Sequence, residues 1–470
     1  MAVTSGRWRC SPALPAHTTE EVRDLLADER DTGSARGRGL LRELGRAFGG
    51  PYHVLLPGRF DGNVAAFRYV FAEAGVDGGI YFAKKANKAA AFVERAAVLD
   101  IGVDVASRGE LAEALGHGVR GADLVVTGPA KHDEVLRLAI LHGCLVAVDA
   151  VDELERIIAR AGELHRNARL LLRRRPPAQP HSRFGLDDAE LDKALARCAE
   201  AGHAVALEGF GFHLAGYEPR PRTDLAGELV RLCRRARAMG LRPDRISIGG
   251  GFPVDYVSAL DWRRFTTADR PGHYHADKTF AGRYPYHSPT AGADALRAIL
   301  TGIPAGERQP LAELLRAARI RLLIEPGRAL LDQAGCTVFT VQGVKERDGY
   351  AILTVDGTSL SLSEQWFNSE FLPDPVLVPA GGAAPDPSVS DPATYPACVG
   401  GATCLESDLL TWRKIPFPAR PAVGDLLVYL NTAGYQMDSN ESPFHELPLP
   451  PKVVLDPDAG GTRWRLDRRA

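Results

Sequence analysis

An alternation of short β-rich runs and amphipathic runs extends over most of this chain and constrains its fold more than any other feature. Strands are predicted at residues 52–56, 79–84, 102–106, 124–127, 145–149, 170–173, 204–213, 246–248 and 322–324. Amphipathic helices are predicted among them, for example at residues 88–99, 108–116, 133–141, 152–164 and 225–239. Because strand–helix alternation implies a parallel sheet covered by helices, about eight such units predict an α/β fold of the (β/α)8 TIM-like barrel type.

The pattern changes after Arg328. Residues 337–345, 350–355 and 425–430 have the composition of antiparallel strands. We therefore predict an N-terminal segment at 1–50 that joins a β domain, a barrel at 51–330, and a C-terminal, mostly antiparallel β domain at 331–470. An irregular stretch, 266–289, precedes the last barrel unit, and its tyrosines and histidines fit either an active-site lid or a surface insertion.

Composition and charge exclude several classes of protein. With 470 residues, the chain is long enough for two domains that each bury a core. A net charge of −2 gives no electrostatic reason to bind nucleic acid or an anionic membrane. No signal pattern and no run of about 18 apolar residues is present. The seven cysteines are scattered without a CxxC pair, which argues against disulfides or a zinc site. We expect a cytoplasmic protein with no metal site.

Two adjacent lysines, Lys84 and Lys85, end the predicted strand at 79–84. An unpaired ammonium is costly to bury, so a lysine at the end of a buried strand needs a reason to be there. Strand alternation points only one of the two into a barrel, and the pattern alone does not choose between them. A functional lysine or two exposed lysines at a strand end are both consistent with the sequence.

Three further motifs end or follow predicted strands: the histidine His213, the triplet Gly249-Gly250-Gly251, and the tetrapeptide Glu325-Pro326-Gly327-Arg328. Glycine lets backbone N–H groups approach a phosphate closely, and a carboxylate can keep a pyridine nitrogen protonated. Barrel enzymes place such groups at the carboxyl ends of their strands. Together with a lysine for a Schiff base, these motifs predict a site for pyridoxal 5'-phosphate (PLP). Taken alone, the glycine triplet would be explained by a tight turn, and His213 by a histidine that belongs to the core.

In these motifs and in their order, the chain resembles the fold-type III PLP-dependent decarboxylases, the group of diaminopimelate, ornithine and arginine decarboxylases. Residues 82–87 resemble the family's Tyr-Ala-x-Lys-Ala-Asn, with Phe82 at the position of the Tyr, and this aligns Lys85 with the Schiff-base lysine. Asp104-Val105-Ala106-Ser107 and Gly401-Ala402-Thr403-Cys404 resemble later family motifs. The resemblance covers residues 50–440 and implies an alanine-racemase-like barrel and a homodimer with shared active sites.

The resemblance also implies roles for individual residues. Lys85 would form the Schiff base, His213 would stack on the pyridine ring, and Cys404 of a neighbouring subunit would protonate the substrate carbon. The remaining implied cofactor contacts are Asp104, Arg173, Gly249, Gly250, Gly251, Glu325 at the pyridine nitrogen, Arg328 near the phosphate, and Tyr435. The implied substrate contacts are Glu406, Asp408 and Tyr435. The implied activity is PLP-dependent decarboxylation of a diaminopimelate- or ornithine-like amino acid, or of a specialised-metabolism substrate, free or carrier-bound.

Two departures from the family pattern leave the substrate open. Ala215-Gly216 stands where the family has Gly-Ser, so a phosphate-binding hydroxyl is missing. Leu405 stands where the family has an acid that binds a distal amine, so either Glu406 replaces it or the substrate is not an ordinary diamino acid.

Two alternative functions remain. Racemases of this fold place an arginine at the pyridine nitrogen, so Glu325 favours decarboxylation over racemisation or epimerisation. A non-catalytic, protein-binding relative would lose cofactor residues, whereas this chain keeps them.

Overall fold

The structure is a computed structural model that describes residues 10–27, 38–347, 349–362, 364, 368–380, 394–456 and 463–467. The described residues group into two compact units. One, called here the β unit, lies within Met1–Arg59, Val254–Pro289 and Leu331–Asp467. The other, called the barrel unit, comprises Phe60–Pro253 and Thr290–Leu330. Within the described ranges, no helix is both long enough and apolar enough to cross a membrane.

The described secondary structure elements alternate as the sequence predicts. The strands, in chain order, are β1 (Tyr52–Leu55), β2 (Gly78–Ala83), β3 (Gly102–Val105), β4 (Leu124–Val126), β5 (Leu145–Val148), β6 (Ala168–Arg173), β7 (Val205–Gly211), β8 (Arg245–Ser247), β9 (Arg321–Ile324), β10 (Gly335–Arg347), β11 (Tyr350–Val355), β12 (Val376–Val378), β13 (Tyr395–Gly400), β14 (Leu409–Phe417), β15 (Leu426–Leu430), β16 (Lys452–Asp456) and β17 (Arg463–Leu466). The α-helices are α1 (Glu20–Leu26), α2 (Arg38–Phe48), α3 (Pro57–Ala74), α4 (Ala90–Val98), α5 (Arg108–Gly116), α6 (Asp133–His142), α7 (Val151–Leu164), α8 (Asp188–Glu200), α9 (Pro219–Ala238), α10 (Ala259–Ala268), α11 (Gly292–Thr301) and α12 (Leu311–Ala318).

Strands β2 to β9 form a closed, parallel eight-stranded barrel in which β9 pairs with β2. The predicted (β/α)8 barrel is therefore confirmed. Side chains from several strands fill it with a buried apolar cluster: Tyr81, Val125, Leu145, Leu171 and Leu323. Capping residues fix the ends of the surrounding helices. For example, Asp187 and Glu190 form a reciprocal capping box at the start of α8, which satisfies two otherwise unpaired amides.

The β unit contains a nine-stranded sheet in the order β14-β13-β11-β10-β1-β16-β17, with β15 paired to β10 and β12. Most of its pairings are antiparallel, as predicted for the C-terminal domain. One prediction is wrong here, because the strand predicted at 52–56 in the barrel region is β1 of this sheet. It pairs antiparallel with β10 and parallel with β16, while eight other strands close the barrel without it.

The irregular stretch 266–289 packs inside the β unit. Tyr284 and Tyr286 are fully buried, and both make edge-on contacts with Tyr256. Tyr286 also packs edge-on against Phe371. Aromatic side chains that are this deeply buried contribute several kcal/mol to packing and keep the segment fixed. The geometry therefore favours a built-in core element over a lid that opens freely.

Candidate active site

Every strand of the barrel carries a polar or charged group at or just after its carboxyl end. In strand order from β2 to β9 these groups are Lys85, Asp104, Thr127, Asp149, Arg173, His213, Ser247 with the loop Gly249–Gly251, and Glu325 with Arg328. This set is called here the strand-end ring. The barrel brings together residues that are far apart in the sequence: Lys85 and Glu325, 240 positions apart, follow the neighbouring strands β2 and β9.

The two adjacent lysines have different surroundings. Nζ of Lys84 lies 2.9 Å from Oε2 of Glu113, and the Lys84 side chain is only 1% exposed. The Lys85 side chain is 41% exposed, and its Nζ lies 3.7 Å from Oδ2 of the buried Asp104. Lys84 is thus held in a buried ion pair, while Lys85 is the lysine of the strand-end ring.

Glu325 is a half-buried carboxyl group of the ring. The hydroxyl of Ser247 donates a hydrogen bond of 2.6 Å to its Oε1. Burial, together with the negative charge of Asp104, raises the pKa of Glu325 to about 7, although the Ser247 hydrogen bond and the charge of Lys85 oppose that rise. Glu325 can therefore bind or release a proton near neutral pH.

His213 is held as a neutral imidazole. Burial, and then the positive charges of Lys85 and Arg173, lower its pKa to about 3. The ring packs against the glycine loop, since a Cβ placed on Gly249 would lie 2.8 Å from Nδ1 of His213. An uncharged, flat ring next to a glycine loop is suited to contact an aromatic ligand.

The glycine loop fits a phosphate group. Gly249 and Gly251 have positive φ of 64° and 83°, and a Cβ on Gly250 would lie 2.8 Å from the carbonyl oxygen of Glu325. Gly250 is buried. Within the described part of the chain, the amides of Gly250 and Gly251 donate to no protein acceptor. Because buried amides need an acceptor, this loop fits an anion that binds backbone N–H groups.

Three members of the ring were missed by the sequence analysis. Thr127 donates a 2.5 Å hydrogen bond to Oδ1 of Asp104. Asp149 accepts a 3.0 Å hydrogen bond from Nη1 of Arg173, and Ser247 binds Glu325 as described. Thr127 and Asp149 directly follow a strand and Ser247 is the last residue of one, so a search of every strand end would have found them.

Arg328 and Arg173 contribute positive charge at this end of the barrel. Arg328 is 5% exposed and begins a short 3-10 turn, Arg328–Leu331. The guanidinium of Arg173 lies 4.4 Å from the ring centre of Phe184, a cation–π contact that orients it.

The remaining predicted site residues belong to the β unit. Cys404 and Glu406 are exposed, and Sγ of Cys404 lies 3.1 Å from Nε2 of His445. No local sequence signal links Cys404 with His445, because the two residues are 41 positions apart. Tyr435 is half-buried with a positive φ of 78°.

Asp408 is engaged within its own loop. Its Oδ1 accepts the amide of Ser359 at 2.7 Å, and its Oδ2 accepts the hydroxyl of Thr403 at 2.7 Å. Since both oxygens are bound, the geometry favours a role for Asp408 in ordering the loop that carries Cys404.

Comparison with known proteins identifies the family. Residues 62–274 match the family described as pyridoxal-dependent decarboxylase, pyridoxal binding domain. The chain is 38% identical to the uncharacterized protein y4yA of Sinorhizobium fredii over 90% of this chain and 91% of that protein. It is 24% identical to the diaminopimelate decarboxylase of Bacillus methanolicus over 88% of this chain and 90% of that protein. The chain belongs to the fold-type III PLP-dependent decarboxylase family.

Solved structures share the fold of this decarboxylase family member. The diaminopimelate decarboxylase of M. jannaschii, solved in complex with L-lysine, superposes with a TM-score of 0.70 at 19% identity, covering 91% of each chain. The family resemblance and the fold predicted from the sequence are thus confirmed. Apart from Glu325 and Arg328, the strand-end ring lies inside the matched pyridoxal-binding domain.

Proposed function

We propose that this protein is a PLP-dependent amino-acid decarboxylase in which Lys85 forms the Schiff base. The observation that carries the proposal is that Lys85 and Glu325 belong to one strand-end ring, because they follow the paired strands β2 and β9. A reactive amine and a carboxyl group that exchanges a proton with the pyridine nitrogen are the two groups that a PLP-dependent decarboxylation needs from the barrel.

The residues present fit the cofactor. Lys85 would hold it covalently, Glu325 would share a proton with the pyridine nitrogen, and His213 would lie against the ring. The unpaired amides of Gly250 and Gly251 would bind the phosphate. Arg328 would add a positive charge to the phosphate site. Asp104 and Arg173 would contribute a negative and a positive charge within the strand-end ring. When bound, PLP supplies the electron sink that accepts the pair released as the substrate carboxylate leaves as CO2.

The protein groups manage protons around that event. Glu325 has its pKa near neutrality, so it could give a proton to the pyridine nitrogen, and its carboxylate would then hold that proton there. His213 has its pKa well below neutrality, so it adds no positive charge that would hold the substrate carboxylate in place. The proton that replaces the carboxylate must come from an acid, and we assign it to Cys404 of a second copy in a homodimer, with Sγ as the donor atom.

The substrate is proposed to be a small amino acid, free or carrier-bound. A relative of the same fold is a diaminopimelate decarboxylase solved with L-lysine. In this chain the exposed Leu405 and Glu406 follow Cys404, so Glu406 would bind a distal amine if the substrate has one. Tyr435 would complete the substrate contacts.

The test is incubation of the PLP-loaded protein in D2O with a panel of L- and D-amino acids that includes diaminopimelate, ornithine, lysine and arginine, followed by mass spectrometry. The expected product is an amine that has lost CO2 and gained one deuterium at carbon. Deuterium exchange or racemisation without CO2 loss would contradict the proposal and favour the racemase alternative. Failure of the purified protein to bind PLP at all would favour the non-catalytic alternative.

A further inference from the structure

Arg222 is a fully buried arginine that joins the two turns beside the phosphate site. It lies in the first turns of α9 and is 1% exposed. Its guanidinium donates to the carbonyl oxygens of Gly250 at 3.1 Å, Leu214 at 3.2 Å and Gly216 at 2.8 Å. A fourth hydrogen bond, of 3.1 Å, goes to the carbonyl of Glu218 one helical turn earlier. One side chain therefore holds both the glycine loop and the turn after His213.

The charge of Arg222 has no carboxylate partner among the described residues. Arg174, another buried arginine of the barrel unit, is paired with Asp188 at 2.8 Å and Glu228 at 2.9 Å. Arg222 binds only carbonyl dipoles. Burial lowers its pKa to about 10, so the guanidinium is still charged at neutral pH. The charge of Glu218 acts on the guanidinium, but the two form no described ion pair. An anion next to the two turns would therefore lower the cost of burying this charge.

The peptide groups whose carbonyl oxygens accept from Arg222 point their N–H groups away from it. In a trans peptide the C=O and the N–H point in opposite directions. Because the Gly250 carbonyl points at Arg222, the following amide, that of Gly251, points away from it. The Gly249 carbonyl is held in turn by the amide of Glu325 at 2.9 Å, which directs the Gly250 amide. Neither the Gly250 amide nor the Gly251 amide has a protein acceptor among the described residues.

We propose that Arg222 is a positioning residue for the cofactor phosphate: it orients the glycine loop from behind and balances the phosphate charge through the loop. The proposal rests on the proposed function, because it requires PLP as the ligand. It also accounts for Gly216, which stands where the family has a phosphate-binding hydroxyl. At this position the carbonyl group of Gly216 accepts a hydrogen bond from Arg222, so the buried cation holds the turn although glycine supplies no hydroxyl.

The proposal predicts that Arg222 affects binding of the cofactor's phosphate much more than binding of its pyridine ring. Arg222→Met removes the charge and the four hydrogen bonds while keeping an unbranched side chain. We expect R222M to bind PLP roughly 10–100-fold more weakly, the range for a lost charge-assisted interaction. Binding of pyridoxal, which lacks the phosphate, should change less than about threefold. Both dissociation constants are measured by titration of the apoprotein, with absorbance of the bound cofactor as the readout.

A matched control lies on the same helix. Arg237, near the other end of α9, donates to the backbone carbonyls of Pro243 at 2.9 Å and Ala318 at 2.7 Å. Arg237→Met therefore removes a similar brace far from the phosphate site and should leave the ratio of PLP to pyridoxal affinity unchanged. Millimolar inorganic phosphate should raise the melting temperature of the wild-type apoprotein and of R237M, and should not raise that of R222M.

The outcomes are distinct. If R222M loses affinity for PLP and pyridoxal by the same factor, or loses neither, Arg222 is only a structural brace and the proposal is overturned. If R222M does not fold, Arg222→Lys keeps the charge without the planar fork, and it should reduce the PLP preference over pyridoxal. An unchanged preference in R222K would then also overturn the proposal. If the wild-type protein itself binds no PLP, it is the proposed function that fails.

Discussion

Ser247 Oγ lies 2.6 Å from Oε1 of Glu325 and is the one described side chain that donates a hydrogen bond to this carboxyl group. The hydroxyl favours the charged form of Glu325, whereas burial and Asp104 favour the neutral form. The balance of these effects places the pKa of Glu325 near neutrality. Single substitutions should therefore shift the pKa of Glu325, so its role can be tested without any substrate.

We expect Glu325→Gln to stabilise the apoprotein at alkaline pH. The folded pKa of about 7 lies above the ordinary value of 4.5, so the favourable contribution of Glu325 is complete below about pH 4.5 and is lost as the pH rises through 7. The difference corresponds to at most on the order of 3 kcal/mol. Chemical unfolding of the apoprotein at pH 4.5 and pH 8 should show a gain for E325Q that is present at pH 8 and small at pH 4.5. An equal gain at both values would contradict this account.

Ser247→Ala is expected to act through Glu325. Loss of the hydroxyl removes a hydrogen bond to the charged form, so the pKa of Glu325 should rise further, and the alkaline destabilisation of the apoprotein should become larger and extend to a higher pH. The measurement is the pH dependence of the melting temperature. The control is the double variant, since S247A should have no pH-dependent effect when E325Q is already present. A pH-dependent effect in that background would assign the change to another group.

The two lysines should respond differently to truncation. Lys85→Ala is expected to abolish covalent attachment of PLP, measured by borohydride reduction and peptide mass spectrometry, with little effect on stability. Lys84→Ala should keep the attachment and lower the free energy of unfolding by roughly 1–3 kcal/mol, because it leaves Glu113 without its buried partner. Glu113→Gln should not affect attachment either. If K84A and not K85A lost the attachment, the assignment of the Schiff-base lysine would be wrong.

The barrel could be predicted from the sequence because strand ends and helix periodicity are local properties. The choice between Lys84 and Lys85 could not be made from strand alternation, because the strand ends at Ala83 and both lysines lie in a 3-10 turn. The family motif aligned Lys85 with the Schiff-base lysine, and in the structure Lys85 lies beside Asp104 in the strand-end ring. Strand β1 was assigned to the barrel because a single apolar run contains no information about which sheet it joins.

Long-range partners were beyond the sequence analysis for a related reason. Arg222 meets the glycine loop across 28 positions, and His445 meets Cys404 across 41. An arginine in the first turn of an amphipathic helix has the pattern of an ordinary solvated residue. Only the closed barrel shows that Arg222 is buried behind the glycine loop. There its guanidinium donates to the carbonyl oxygens of Gly250 and Gly216.

The contact between Cys404 and His445 predicts a reactive thiol. Cys404 is exposed and Cys10 is half-buried, whereas burial raises to about 12 the pKa of each of the other five: Cys144, Cys198, Cys233, Cys336 and Cys398. Iodoacetamide should therefore modify Cys404 first in the folded protein. The imidazole of His445, 3.1 Å from Sγ, can accept the thiol proton, so His445→Ala should slow this alkylation roughly 3–10-fold at pH 7.

The alkylation experiment has a direct control and is independent of the cofactor. His181 is an exposed histidine of the barrel unit, and His181→Ala should leave the rate at Cys404 unchanged. Peptide mass spectrometry identifies the modified cysteine, and Cys404→Ser should remove the fast phase. Equal rates in H445A and the wild type would show that His445 does not assist the thiol. Because the apoprotein is used, that result would bear on proton supply by Cys404 without touching PLP binding by the barrel, so the two halves of the proposed mechanism can fail separately.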